Sequence, residues 1–183
     1  IYWMWFQGEV DGSRLIAKNS MKQQKFNIIL VLVAAFIVKA ILAVKNEGYS
    51  VDITCFRSWS ETVFTGGLSH FYEGDVTDYP PGYMLVLWLV AAIRHLFNID
   101  NYSTTGLFMI KLFPMLFDLA AAYLIYVMAK KRFSEGMSLM LSTLYALNPA
   151  VVIDSSVSGQ VDGVLCCMVL LTCYLFMEEK RIL

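Results

Sequence analysis

The sequence is short of charge. Asp, Glu, Lys and Arg make up 16% of its 183 residues and hydrophobic residues 58%, where a soluble domain carries about 25% charged and about 45–50% apolar residues. The apolar residues gather into runs instead of alternating with polar ones, and mean hydropathy is +0.59. Together these exclude an ordinary water-soluble domain and point to an all-α, polytopic membrane protein. Basic charge is not in excess either. Fourteen Lys and Arg against 15 Asp and Glu leave a net charge of -1, so there is no field for nucleic acid. The four cysteines (Cys55, Cys166, Cys167, Cys173) form no C-x-x-C pair and no metal-ligand spacing. Three of them lie in one apolar run, where a free thiol behaves as a small hydrophobe, so neither a disulfide framework nor a zinc site is expected.

The two ends of the chain read differently from its middle. Ile1–Ser20 begins without Met, whereas Met21-Lys22-Gln23-Gln24-Lys25 ahead of an apolar run has the form of a membrane-protein start. Residues 1–20 are therefore expected to be non-native upstream sequence. A cytoplasmic or interfacial leader is the other reading, because Tyr2, Trp3, Trp5 and Phe6 suit a bilayer surface. The chain stops just past an apolar run, at Glu178-Glu179-Lys180-Arg181. Residues 21–183 are accordingly expected to be the N-terminal part of a longer transmembrane domain.

Five apolar runs follow: Phe26–Val44, Tyr83–Phe97, Leu107–Ala129, Met137–Ile153 and Val161–Met177. Crossing the hydrocarbon core takes roughly 17–25 helical residues, and Asn148-Pro149 near the end of Met137–Ile153 should kink or end that helix locally. Tyr83–Phe97 is short and carries Arg94 and His95, so it reads either as a short span or as an interfacial helix. The positive-inside rule separates the two. With Tyr83–Phe97 in the interface, Lys22/Lys25, Lys130-Lys131-Arg132 and Lys180/Arg181 all fall on the cytoplasmic side. The expected topology has four spans, with residues 46–106 forming one large outer loop that contains a half-buried surface helix.

That loop is the least membrane-like part of the chain and the richest in reactive side chains. Asp52 lies at or near the start of a helix that runs through Thr62, with Phe56, Trp59 and Val63 on one face. An Asp there can simply cap free backbone N–H groups. The same carboxylate, just beyond the outer end of the first span, is also placed to take a proton from an acceptor hydroxyl.

Asp52-x4-Arg57-x-Trp59, then Phe71-Tyr72, then Asp78-Tyr79-Pro80-Pro81 resembles the first luminal loop of GT-C membrane glycosyltransferases. It looks most like the dolichyl-phosphate-glucose glucosyltransferases of N-glycan assembly, and equally like bacterial relatives of the second mannosyltransferase of GPI-anchor synthesis. Lys111 and Asp118, seven apart, resemble a basic residue and an Asp at that spacing in the second span of the group. Asn148-Pro149-Ala150 followed by Ser158-Gly159-Gln160-Val161-Asp162 looks like the Asn-Pro…Trp-Gly-Gln-x-Asp segment of the bacterial relatives, with Ser158 in place of the usual Trp. The resemblance covers roughly Met21 to the end.

The resemblance implies an inverting hexosyltransferase that moves mannose or glucose from a polyprenyl-phosphate-linked donor to the hydroxyl of a glycan or other extracytoplasmic acceptor. Asp52 would be the general base. Arg57 and Lys111 would stabilise the leaving phosphate, although a Lys near a span's end can also snorkel to the headgroups. Trp59, Asp78, Tyr79, Gln160 and Asp162 would bind substrate or shape the site, Trp59 having an interfacial-anchor reading as well. Lys39 is expected to snorkel, Asp118 to bond a neighbouring helix, and His70 to lie on the surface. No cofactor and no metal are expected, since a lone Asp without a second close carboxylate is a poor Mg²⁺ or Mn²⁺ site. Asp75 and Asp78 could join it only if the loop folded back. The bacterial match suggests a plasma-membrane protein with its site facing outward. The rival readings are a transporter or lipid-linked oligosaccharide flippase, which would place binding groups near the midplane on broken helices, and a non-catalytic scaffold.

Overall fold

The computed structural model describes residues 2–74 and 79–178, with the side chains of residues 22–69, 71–73 and 79–178. The described residues form helices joined by short connections, with no strand among them. Helix α1 (Tyr2–Lys45) is a single run whose part Lys22–Lys45, 24 residues long, is apolar enough to cross a membrane. Helices α2 (Ser50–Gly74) and α3 (Pro81–Leu96) follow, then α4 (Thr104–Ala129), a second candidate span of 26 residues. At 1.5 Å per residue both candidates exceed the roughly 30 Å hydrocarbon core.

The run expected to span at Met137–Ile153 is not one helix. It divides into α5 (Glu135–Ala146) and α6 (Pro149–Val152), the latter continuing as a π-helical turn at Ile153–Ser158. The two pieces meet at a 47° bend. The cause is local. Asn148 accepts a bond from Ala150 N at 2.9 Å and so caps a new helix, while Pro149, in the first turn, has no N–H to continue the old one. The last run forms α7 (Asp162–Met177), 16 residues long, or about 24 Å of helix. Among the described residues two helices are long and apolar enough to cross a membrane, or three counting the bent pair as one broken span, and α7, the last of the four expected, is a shorter apolar helix.

Helix α4 is the centre of the bundle, with α1, α5 and α7 packed around it. Its N-terminus is capped by Ser103, whose Oγ accepts from Gly106 N at 3.0 Å. At one end of the bundle Lys130 Nζ bonds Gln24 Oε1 and reaches Glu135 Oε2 at 3.0 Å, and Lys131 pairs with Glu178. Lys22 and Lys25 thus share an end with Lys130-Lys131-Arg132. The opposite end carries α2 and α3.

These two helices pack as a pair against the N-terminal half of α4. Ile53, Phe56, Val63 and Phe71 of α2 join Tyr83, Met84, Leu87 and Val90 of α3 and Leu107 and Ile110 of α4 in the main core. Leu85, Trp88 and Leu89 on the other face of α3 stay exposed, so the helix is buried along one face only. Gly67, at φ +75° and ψ 166°, breaks α2, a backbone state favourable only for glycine.

Candidate active site

The candidate site forms where the α1–α2 connection meets the end of the π-helical turn. Two glycines make that approach possible. Gly48 has φ +88°, and a Cβ there would lie 2.7 Å from Ile53 Cγ1 and 3.0 Å from Ser158 O. Gly159, at φ +79°, closes the π turn in a left-handed conformation, and its Cβ would lie 2.8 Å from Ile53 Cδ1. With no side chain at either position, Tyr49 N donates to Ser158 O at 2.8 Å, and Gln160 N donates to Asp154 O at 2.9 Å.

Asp52 and Gln160, 108 residues apart, consequently meet: Gln160 Nε2 donates to Asp52 Oδ2. Asp52 lies in the first turn of α2 and is half-buried. No hydrogen bond to its other oxygen occurs among the described residues.

Lys111 lies directly beneath. Its side chain is fully buried, and Nζ donates to Asn46 O at 2.8 Å, Ser156 O and Val157 O at 3.1 Å, and Ala43 O at 3.4 Å. The ammonium is thus engaged by backbone carbonyls from both segments that carry the Asp52–Gln160 pair.

Arg57, one turn and a half along α2, lays its guanidinium over the Tyr102 ring at 5.2 Å. Its Nε is buried without a hydrogen-bond partner among the described residues. Its own carbonyl accepts from Asn101 Nδ2 at 3.2 Å, which ties α2 to the loop before α4. Trp59 and Tyr79 belong to an aromatic group around Phe56. Trp59 lies 5.9 Å from Phe56, 5.3 Å from Tyr79 and 6.5 Å from Phe71, and Tyr79 lies 5.9 Å from Tyr83. Trp59 is half-buried against the main core. Asp162 is exposed at the start of α7 and lines a cleft of about 250 Å³ with Asp118, Tyr145 and Asp154. Asp75, Asp78 and the side chain of His70 lie outside the described residues.

Lys39 does not snorkel. It is fully buried and pairs with Asp118 Oδ2 at 2.8 Å, with further bonds to Val151 O and Ser155 Oγ, both at 3.1 Å. Its neighbour on α4 is a carboxylate that would otherwise be desolvated alone, and pairing answers both charges. Asp118 bonds the neighbouring helix as expected.

One cluster escaped sequence reasoning. Glu61 of α2 pairs with Arg94 and, at 2.9 Å, with His95 Nε2 of α3, and the His95 ring stacks on Phe64 at 4.5 Å. Burial alone would raise the Glu61 pKa, but the hydrogen bonds and charges of Arg94 and His95 together outweigh it and hold the carboxyl below its ordinary value. The only signal was two polar residues ending an apolar run, which names no partner.

No protein-family model matches the chain, and no solved structure matches it. Among curated proteins it is similar to GPI mannosyltransferase 1 of Saccharomyces cerevisiae (strain ATCC 204508 / S288c), 27% identical over 125 residues. Those residues are 65% of this chain and 28% of the yeast protein, so the chain spans well under half of the relative it matches. At this level the chain has a glycosyltransferase-like relationship, through a similarity that runs over most of its own length.

Proposed function

We propose that this chain carries the general base of an inverting membrane hexosyltransferase, which moves a sugar from a polyprenyl-phosphate-linked donor to an acceptor hydroxyl on the extracytoplasmic side. The observation that carries the reading is the Asp52–Gln160 pair. Two segments far apart in the chain meet at one end of a membrane bundle to hold a carboxylate by one oxygen, Oδ2. The similarity to a mannosyltransferase makes mannose the first sugar to test.

In this reading the acceptor hydroxyl approaches Asp52 Oδ1, which removes its proton as the oxygen attacks the anomeric carbon. The bond from that carbon to the lipid phosphate breaks with inversion. The phosphate departs as a stable anion, so no strong general acid is needed. Arg57, with its unpaired buried Nε, supplies positive charge for the leaving group. Trp59 and Tyr79 shape the wall through the aromatic group, and Gln160 orients the base. Asp162 stands at the rim, on the start of α7.

The outward orientation rests on the basic residues. Lys22, Lys25 and Lys130-Lys131-Arg132 share the end of the bundle opposite Asp52, which the positive-inside rule assigns to the cytoplasm. A transporter would place binding groups near the midplane on broken helices. The broken helix α5–α6 is instead tied by Val151 O and Ser155 Oγ to Lys39, which neutralises Asp118, and this favours the enzyme.

The test is transfer by the full-length protein in membranes from polyprenyl-phosphate-linked mannose and glucose, with and without Asp52→Asn. Loss of a proton-accepting base costs roughly 10²–10⁴-fold, and a fall of that order at unchanged abundance is expected. Normal transfer by the variant would remove Asp52 from the mechanism.

A further inference from the structure

We infer that Lys111 is a positioning residue, an internal cation that ties the α1–α2 connection to the π-helical turn and so sets the register of Asp52 against Gln160, rather than a ligand for the donor phosphate. A lysine ammonium has three N–H donors, and here four carbonyl oxygens lie within 3.4 Å of Nζ. Ala43 and Asn46 belong to the end of α1 and the connection that leads into Asp52; Ser156 and Val157 belong to the π turn that leads into Gln160. A buried charge is tolerated where hydrogen bonds replace its hydration, and backbone carbonyls supply them here.

Those carbonyls also need the ammonium. A helix end leaves C=O groups without intrahelical partners, and a π turn departs from the regular i→i−4 pattern, a feature frequent at functional sites. The two segments have one direct backbone link among the described residues, Tyr49 N to Ser158 O at 2.8 Å. Lys111 supplies a second through four contacts. Gly159 leaves room for the lysine stem: a Cβ there would lie 3.3 Å from Lys111 Cε. Reaching a phosphate would require Nζ to abandon carbonyls in a buried place, and each one abandoned would be left unsatisfied.

The positioning role rests on the transferase reading, whereas the clamp itself does not, and the experiment separates them. Lys111→Met and Lys111→Arg are made in the full-length protein in membranes. Hydrogen exchange is followed over residues 46–53 and 156–161, beside transfer kinetics with varied donor. With Lys111→Met, exchange across both segments is expected to rise, while kcat falls about a hundredfold, the effect of a small misplacement of reacting groups. The KM for the lipid-linked donor is expected to stay within a few fold. Lys111→Arg keeps the charge and is expected to recover part of the protection and of kcat.

Unchanged exchange in Lys111→Met would overturn the clamp. A large rise in donor KM with kcat retained would overturn the positioning role in favour of phosphate binding. Raised exchange with no transfer from the wild-type protein and any donor would leave the clamp standing and sink the transferase reading instead. Where Lys111→Met does not accumulate, the exchange and the kcat-against-KM split are read on Lys111→Arg, whose planar guanidinium cannot reproduce a point charge among four carbonyls. A rise in donor KM with exchange and kcat unchanged in that variant would equally overturn the inference.

Discussion

Lys39 Nζ lies 2.8 Å from Asp118 Oδ2, and both side chains are almost wholly removed from the surface, at 0% and 1% exposure. This ion pair joins α1 to α4 at a depth where a single charge would be costly. Lys39 also bonds Val151 O and Ser155 Oγ, so one cation connects both long helices to the broken helix. Gly163 of α7 faces the same carboxylate, since a Cβ there would collide with Asp118 Oδ1.

Removing one partner is expected to destabilise the bundle more than removing both. Lys39→Met leaves a buried carboxylate unpaired, a loss of about 3–5 kcal/mol. In Lys39→Met/Asp118→Leu neither charge remains, and the double variant is expected to be clearly more stable than the sum of the single changes. Unfolding of the three variants in a mild detergent checks this. Strict additivity would mean that the two charges do not couple.

The Glu61–Arg94–His95 cluster makes the α2–α3 contact sensitive to acid. Glu61 has its pKa lowered from 4.5 in the folded chain, so the folded state binds this proton less readily than the unfolded one. The stabilisation is full above the ordinary value and is lost as pH falls from about 4.5 through the lowered pKa. Hydrogen exchange across α3 is expected to rise in that window, and Glu61→Gln is expected to flatten this part of the profile. A profile unchanged by the substitution would show that the cluster does not control the contact.

Membrane orientation is testable by thiol labelling. With Cys55 and Cys173 replaced by Ser, a cysteine placed at the exposed Ser58 of α2 is expected to react with an impermeant maleimide from the extracytoplasmic side. A cysteine at exposed Lys131 is expected to react only after permeabilisation. The reverse pattern would invert the topology and place the Asp52 end in the cytoplasm.

Much of this was legible along the chain. The density of apolar residues already pointed to helices long and apolar enough to cross a membrane. Lys22–Lys45 and Thr104–Ala129 form where continuous apolar runs stood, and the basic clusters at their ends collect on one side. Amphipathic spacing put Phe56 and Val63 together, and both are buried.

What the tertiary structure decided were pairings. Lys39 changed from a snorkelling residue to half of an ion pair, and Lys111 acquired four carbonyls that no spacing could announce. Asp52 found Gln160 across 108 residues. Periodicity reports which face of a helix is apolar, but it carries no term for how far one helix slides or turns against another. That register depends on close approach at Gly48, Gly159 and Gly163 and on the buried charges between the helices, so only the packed structure could set it.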